Sequence, residues 1–195
     1  VFISWPYINP IQSNNTYKKN KNILIALSAN DSIGSFKENQ KYLNNFFFKL
    51  SINNSIKNYK LLIKFHTEDN EVNFTKIIEK YKLNYKIIDK NDDIQKIIPK
   101  TELVINSGNS QVIVETLAFN KPILIINKKN NQINDLIKNY PKFFINLKNL
   151  NLLNFNQYIN ETSLSINQIK KIDNYLFNFN NIDYFKKYFD KVITS

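Results

Sequence analysis

Apolar positions fall in short runs separated by longer amphipathic stretches. Ile23-Leu24-Ile25-Ala26-Leu27, Leu61-Leu62-Ile63, Tyr85 to Ile88, Leu103-Val104-Ile105 and Ile123-Leu124-Ile125-Ile126 have the brevity and near-continuous apolarity of strands buried on both faces of a parallel sheet. Between them the spacing changes to three and four residues. Tyr42-Leu43, Phe46-Phe47 and Leu50 predict a helix from Phe36 onward, and similar stretches predict helices over Val72–Tyr81, Ile94–Ile98 and Gln111–Phe119. Strands alternating with helices require right-handed crossovers, hence an α/β, Rossmann-like parallel sheet with helices on both faces. Beyond Pro141, Phe143-Phe144-Ile145 reads as an edge strand, and mostly helical segments follow to the end.

Three regions emerge. Residues 1–21 carry Trp5-Pro6, Asn9-Pro10 and a polar stretch without periodicity, which reads as a connector. Residues 22–150 form the Rossmann-like domain. Residues 151–195 form a helical C-terminal extension packing on that domain or on an absent one. Its last part, Tyr175 to Val192, is rich in Phe and Tyr, read mainly as core or docking residues. The chain opens Val1-Phe2-Ile3 and contains no Met, so it is expected to be a piece of a longer protein.

Composition narrows the chemistry. With no Cys among 195 residues, thiol catalysis, cysteine metal sites and a disulfide scaffold are excluded. No apolar run approaches the roughly 20 residues that cross a bilayer, and no signal-peptide pattern opens the chain; a cytoplasmic setting is expected. The formal net charge of +11 raises the question of a polyanionic partner. All the basic residues are Lys, scattered along a chain rich in Asn and Ile. This lacks the Arg forks and clustered stripes of a nucleic-acid reader, so no nucleic-acid partner is expected, whereas peripheral contact with an anionic membrane fits the charge.

In open parallel sheets ligands bind beyond the carboxyl ends of the strands. The first such loop, Ser28 to Ser35, includes Ser28 and Asn30 and one of the two glycines; its small polar residues ahead of a helix suit a phosphate or an ordinary helix cap. The second strand ends Lys64-Phe65-His66-Thr67, and alternation puts Lys64 and the only His, His66, on one side. Two such groups suit a phosphate, with His66 stabilising leaving-group charge. A single His offers too few ligands for a metal. The third loop, Ser107-Gly108-Asn109-Ser110, opens a helix and makes a second anion cradle. Glu115, in an apolar helical stretch, suits a ribose diol, the alternative being a solvent-facing position. Asp92-Asp93 reads as helix capping.

The segment from about Asn22 to Asn127 resembles the carboxyl-terminal, nucleotide-binding half of GT-B glycosyltransferases. The nearest likeness is to bacterial surface-polysaccharide enzymes of the polysialyltransferase, Kdo-transferase and CDP-glycerol glycerophosphotransferase type. Carrying it are Lys64-Phe65-His66-Thr67, similar to a Lys-x-His-Pro strand end; Ile105-Asn106-Ser107-Gly108-Asn109-Ser110; and Glu115-Thr116-Leu117-Ala118-Phe119-Asn120-Lys121-Pro122, similar to Glu-Ala-Leu-x-x-Gly-Lys-Pro. Thr67 stands where Pro is usual, and Asn120 where Gly is.

The resemblance implies that His66 and Ser107 to Ser110 contact donor phosphates, Glu115 the ribose, and the Ser28 to Ser35 loop the phosphate or acceptor side. It also implies metal-independent transfer from a CMP-, CDP- or UDP-linked sugar to a capsule or lipopolysaccharide glycan, with no separate cofactor and with the acceptor held by a missing amino-terminal domain. A sugar-nucleotide 2-epimerase and a non-enzymatic Rossmann-like interaction module remain as alternatives.

Overall fold

The computed structural model describes residues 21–26, 36–66, 71–106, 111–119, 121–126 and 141–163. Apart from Lys21, the connector lies outside these residues, as does the 175–192 segment.

Six parallel strands form one sheet in the order β3-β2-β1-β4-β5-β6: β1 (Asn22–Ala26), β2 (Lys60–Lys64), β3 (Tyr85–Ile88), β4 (Leu103–Asn106), β5 (Ile123–Ile126) and β6 (Phe144–Ile145). The chain runs outward from β1 to β3 and then returns to β4 on the other side of β1. The order therefore reverses between β1 and β4, which creates the crevice at which such sheets bind ligands. The expected strands lie within one residue of the bounds of β1, β2, β4 and β6, and Tyr85–Ile88 and Ile123–Ile126 coincide with β3 and β5. The Rossmann-like α/β class stands as expected.

The pleat divides the strand side chains between two cores. Ile23, Ile25, Leu61, Ile63, Leu103, Ile105, Leu124 and Ile126 face α1 (Phe36–Ser51) and α2 (Glu71–Glu79). From α1 they meet Leu43, Phe46, Phe47 and Leu50, whose spacing puts them on one helix face. Leu24, Ala26, Leu62, Ile88 and Val104 occupy the opposite face, covered by Ile94 and Ile97 of α3 (Ile94–Ile97) and by Val112 of α4 (Gln111–Ala118).

The short helix expected over Ile94–Ile98 gives way to a 3-10 turn at Ile98–Lys100, because Pro99 has no N–H to continue an α-helix. A second departure lies at the sheet's far edge, where Phe143 belongs to a 3-10 turn and only Phe144–Ile145 pair with β5.

The segment after β6 returns to the α1 face. A 3-10 stretch, Leu147–Leu152, and α5 (Phe155–Thr162) bring Leu150, Phe155 and Tyr158 into the larger core. Polar anchors fix this return. Tyr158 donates its hydroxyl to the carbonyls of Ile123 (2.7 Å) and Lys142 (3.1 Å). Asn53, buried after α1, donates to the carbonyls of Leu150 (3.0 Å) and Leu153 (2.7 Å). Among the described residues, no helix is long and apolar enough to cross a membrane.

Candidate functional site

Register aligns one row across the carboxyl edge of the sheet: Ile88, Lys64, Ala26, Asn106 and Ile125 pair in sequence from β3 to β5. Ile88 and Ala26 lie in the α3/α4-side core, so Lys64 and Asn106 share that face. Asn106 is buried, and its Nδ2 donates to the carbonyl of Ala26 at 3.0 Å. This bond clasps the ends of β1 and β4 at the point where strand order reverses.

Beyond β2 the alternation continues. Phe65 is buried on the α1/α2 side, its ring 5.5 Å from that of Phe74, and His66 follows half-buried. Lys64 donates through Nζ to the carbonyls of Asp89 (3.1 Å) and Lys90 (2.7 Å). Two of its three donors thus hold the turn after β3. Burial keeps the Lys64 pKa below the usual lysine value, opposed by the carboxylates of Asp92, Asp89 and Asp93.

Glu115 is 5 % exposed. The solvent-facing alternative is therefore overturned: its helix presents it to the protein, between α4 and α3. Gln95 Nε2 donates to Glu115 Oε1 at 3.2 Å. Gln95 belongs to the first turn of α3, which Asp93 caps by accepting from the Gln95 N–H at 2.9 Å. The capping expected of the Asp92-Asp93 pair thus falls to Asp93. Both α3 and α4 start at the carboxyl edge of the sheet, so contact with the first turn of α3 puts the Glu115 carboxylate near that edge and not beneath the middle of the sheet.

Lys64, His66 and Glu115 lie on elements that converge at this edge. Ser28, Asn30, Ser107, Gly108, Asn109 and Ser110 lie outside the described residues. Gln95 is not marked by the sequence, and Asn106 enters there only as part of the 105–110 motif, without the clasping role. A polar residue ending a buried apolar run was a usable signal for Asn106; nothing in the local pattern marks Gln95. Among the described residues, no group of three His, Asp or Glu side chains gathers closely enough to hold a metal ion.

No family model and no curated protein sequence matches the chain. Solved structures match it in fold. A candidate UDP-N-acetylglucosamine 2-epimerase from Listeria monocytogenes is similar with a TM-score of 0.55 and 16% identity, over 77% of this chain and 41% of that one. UDP-GlcNAc 2-epimerase from Neisseria meningitidis, bound to UDP-GlcNAc, gives 0.54 and 15%, over 87% and 48%. WaaG, a glycosyltransferase involved in lipopolysaccharide biosynthesis, gives 0.54 and 15%, over 82% and 43%. The chain spans less than half the length of each. At these identities the likeness establishes a shared fold, the parallel Rossmann-like α/β architecture common to these glycosyltransferases and epimerases.

Proposed function

We propose that this chain is the donor-binding half of a GT-B glycosyltransferase, moving a sugar from a CMP-, CDP- or UDP-linked donor to a bacterial capsule or lipopolysaccharide glycan. The observation that carries the reading is Glu115, a buried carboxylate beside the carboxyl edge of a parallel sheet, to which the side-chain amide of Gln95 donates. A carboxylate so held accepts from paired hydroxyls such as a ribose diol.

In the transfer, the bond from the anomeric carbon to the donor phosphate breaks as the acceptor oxygen bonds to that carbon, and the nucleotide departs with the electron pair. His66 and residues 107–110, which precede α4 in the sequence, are assigned to the developing phosphate charge. Protein donors do this work, with no cofactor beyond the nucleotide sugar. The acceptor and the catalytic base are assigned to an amino-terminal domain of the same protein, working in the cytoplasm with peripheral contact to anionic membrane through the lysine excess.

A second reading, a sugar-nucleotide 2-epimerase, draws support from the epimerases among the similar structures. It is weaker because this half supplies a single His. Product analysis with the full-length protein separates the two: transfer lengthens a glycan, whereas epimerisation returns a rearranged nucleotide sugar without acceptor. Replacing His66 by Ala should strongly lower turnover; unchanged turnover would remove His66 from the mechanism.

A further inference from the structure

The lysines are dispersed along the sequence, but six exposed ones meet at the amino edge of the sheet. Lys21, Lys57, Lys60, Lys80, Lys82 and Lys100 all lie on the segments that lead into β1, β2, β3 and β4. Backbone bonds stitch those entries side by side. Leu61 N–H donates to the Asn84 carbonyl (2.8 Å), Lys60 N–H to the Lys21 carbonyl (2.8 Å) and Glu102 N–H to the Asn22 carbonyl (2.9 Å), while Asn22 Nδ2 donates to the Lys100 carbonyl at 3.3 Å. Among the described residues of these segments, Glu79 and Glu102 oppose the lysines, and Glu102 also supports the charge of Lys121. The carboxyl edge differs: there Asp89, Asp92 and Asp93 surround the turn that Lys64 holds. Neighbouring strands are about 4.8 Å apart, less than the Debye length of about 8 Å at physiological salt, so the potentials of adjacent lysines add.

Beside this basic row stands an apolar pair. Phe48 and Ile52 are half exposed, one turn apart at the end of α1, where Ile52 N–H donates to the Phe48 carbonyl (3.2 Å). The Phe48 ring lies 6.4 Å from that of Tyr81, which Lys82 follows, and Ile52 leads into the turn that carries Lys57. Ammonium groups around exposed apolar side chains match a lipid–water interface, where charges meet anionic headgroups and apolar groups enter the acyl boundary. A nucleic acid would use the charges and leave the apolar pair in water. Lysine also lacks the planar fork that grips phosphate bidentately.

We infer that the amino edge of the sheet, with Phe48 and Ile52, is the surface by which this chain docks on an anionic bilayer. This rests on the peripheral-membrane part of the reading above and gives that contact a place. Docked so, the chain holds the crevice on its far side. The five residues of β1, about 16 Å of strand, separate the lipid from the carboxyl edge, which stays open to water.

The test sediments the whole chain with vesicles of phosphatidylcholine, with and without phosphatidylglycerol. The chain should bind the vesicles that contain the anionic lipid and leave them as salt is raised. Replacing Lys60, Lys82 and Lys100 together by Gln should weaken binding about a hundredfold, at about fivefold for each lysine near an anionic surface. Replacing Lys41, Lys90 and Lys96 by Gln removes the same charge from exposed positions elsewhere and should cost far less. Equal losses in the two triple variants would mean attraction by net charge alone and would overturn the assignment of this face. Far-UV circular dichroism checks that each variant is folded.

Phe48→Ser should weaken vesicle binding about fivefold, the worth of burying half a Phe side chain. No change in that variant, or tighter binding to duplex DNA than to the vesicles, would overturn the lipid assignment. A direct arm places Phe48→Trp in a Trp5→Phe background: lipids brominated on their acyl chains should quench its fluorescence, and binding without quenching counts against docking through this pair. If the unaltered chain binds neither kind of vesicle, the membrane part of the proposed function fails and this inference with it, whereas nucleotide titration without lipid judges the donor-binding part separately.

Discussion

Asn53 offers a quantitative test of how the C-terminal return is held. The residue is 2 % exposed, and its side chain meets groups on both sides. Its Nδ2 donates to Leu150 and Leu153 carbonyls; its Oδ1 accepts from the N–H groups of Ser55 (2.9 Å) and Ile56 (3.3 Å) and from the Ser55 hydroxyl (2.7 Å). The acceptor half is an N-cap for the 3-10 turn Asn54–Asn58, and deleting such a cap costs about 1 kcal/mol. The two carbonyls are not wholly abandoned in Asn53→Ala, since Leu153 N–H still reaches Leu150 and the Ser55 hydroxyl still reaches Leu153. Their loss is then the net worth of two hydrogen bonds, about 2 kcal/mol.

Asn53→Ala should thus destabilise the chain by about 3 kcal/mol, lowering Tm by about 6–12 °C for a chain of this size. Urea denaturation followed by circular dichroism reads it, with the m-value unchanged. Asn53→Asp keeps the cap but replaces both donors with an acceptor facing two carbonyls, so it should be no more stable than Asn53→Ala. A loss below about 0.5 kcal/mol in Asn53→Ala, the range of featureless surface changes, would refute this account of the anchor.

Other outcomes follow from adjacent contrasts. Phe47 is fully buried and Phe48 half exposed on the same helix, so Phe47→Ala should cost about 3–5 kcal/mol and Phe48→Ser about 0.5 kcal/mol or less, both measured by denaturant melts. Burial raises the Tyr158 pKa above the usual tyrosine value. The folded state therefore keeps its phenolic proton where the unfolded chain loses it, and the stability it contributes is full below about pH 10 and declines as pH rises further. The stability gap between the unaltered chain and Tyr158→Phe, about 1 kcal/mol at pH 8, should shrink by pH 11 in paired urea melts. A gap that stays constant or widens would contradict the burial argument.

Much of the fold was legible because a parallel sheet buries both faces of its strands. Ile23 to Ala26 and Ile123 to Ile126 need no alternation to be recognised; their brevity and bounding polar residues suffice. Right-handed crossovers then leave little choice of topology. Glu115 was legible for the complementary reason, a carboxylate amid Val112, Ile113, Val114 and Leu117 being costly unless it is used or paired. What stayed hidden is what depends on distant partners. Asn53 and Asn54 are indistinguishable in a chain rich in Asn, yet of the two only Asn53 turns inward, and the carbonyls it donates to lie 97 and 100 positions away. Gln95 reads as an ordinary helix residue until α4 is packed beside it. Lys64 alternates correctly with Leu62, but alternation gives a face and not a partner, and the carbonyls after β3 enter only once β2 and β3 are paired.

The proposed function requires that the crevice beside Glu115 bind a nucleotide through its ribose and phosphates. Calorimetric titration of CMP, CDP, UMP and UDP into the chain, with Glu115→Gln and His66→Ala alongside, is the decisive experiment. Nucleotides of one base should bind selectively, Glu115→Gln should weaken them about tenfold, the value of a charge-assisted hydrogen bond, and His66→Ala should weaken the diphosphate more than the monophosphate. Nucleotide binding indifferent to both substitutions, or none at millimolar concentration, would contradict it.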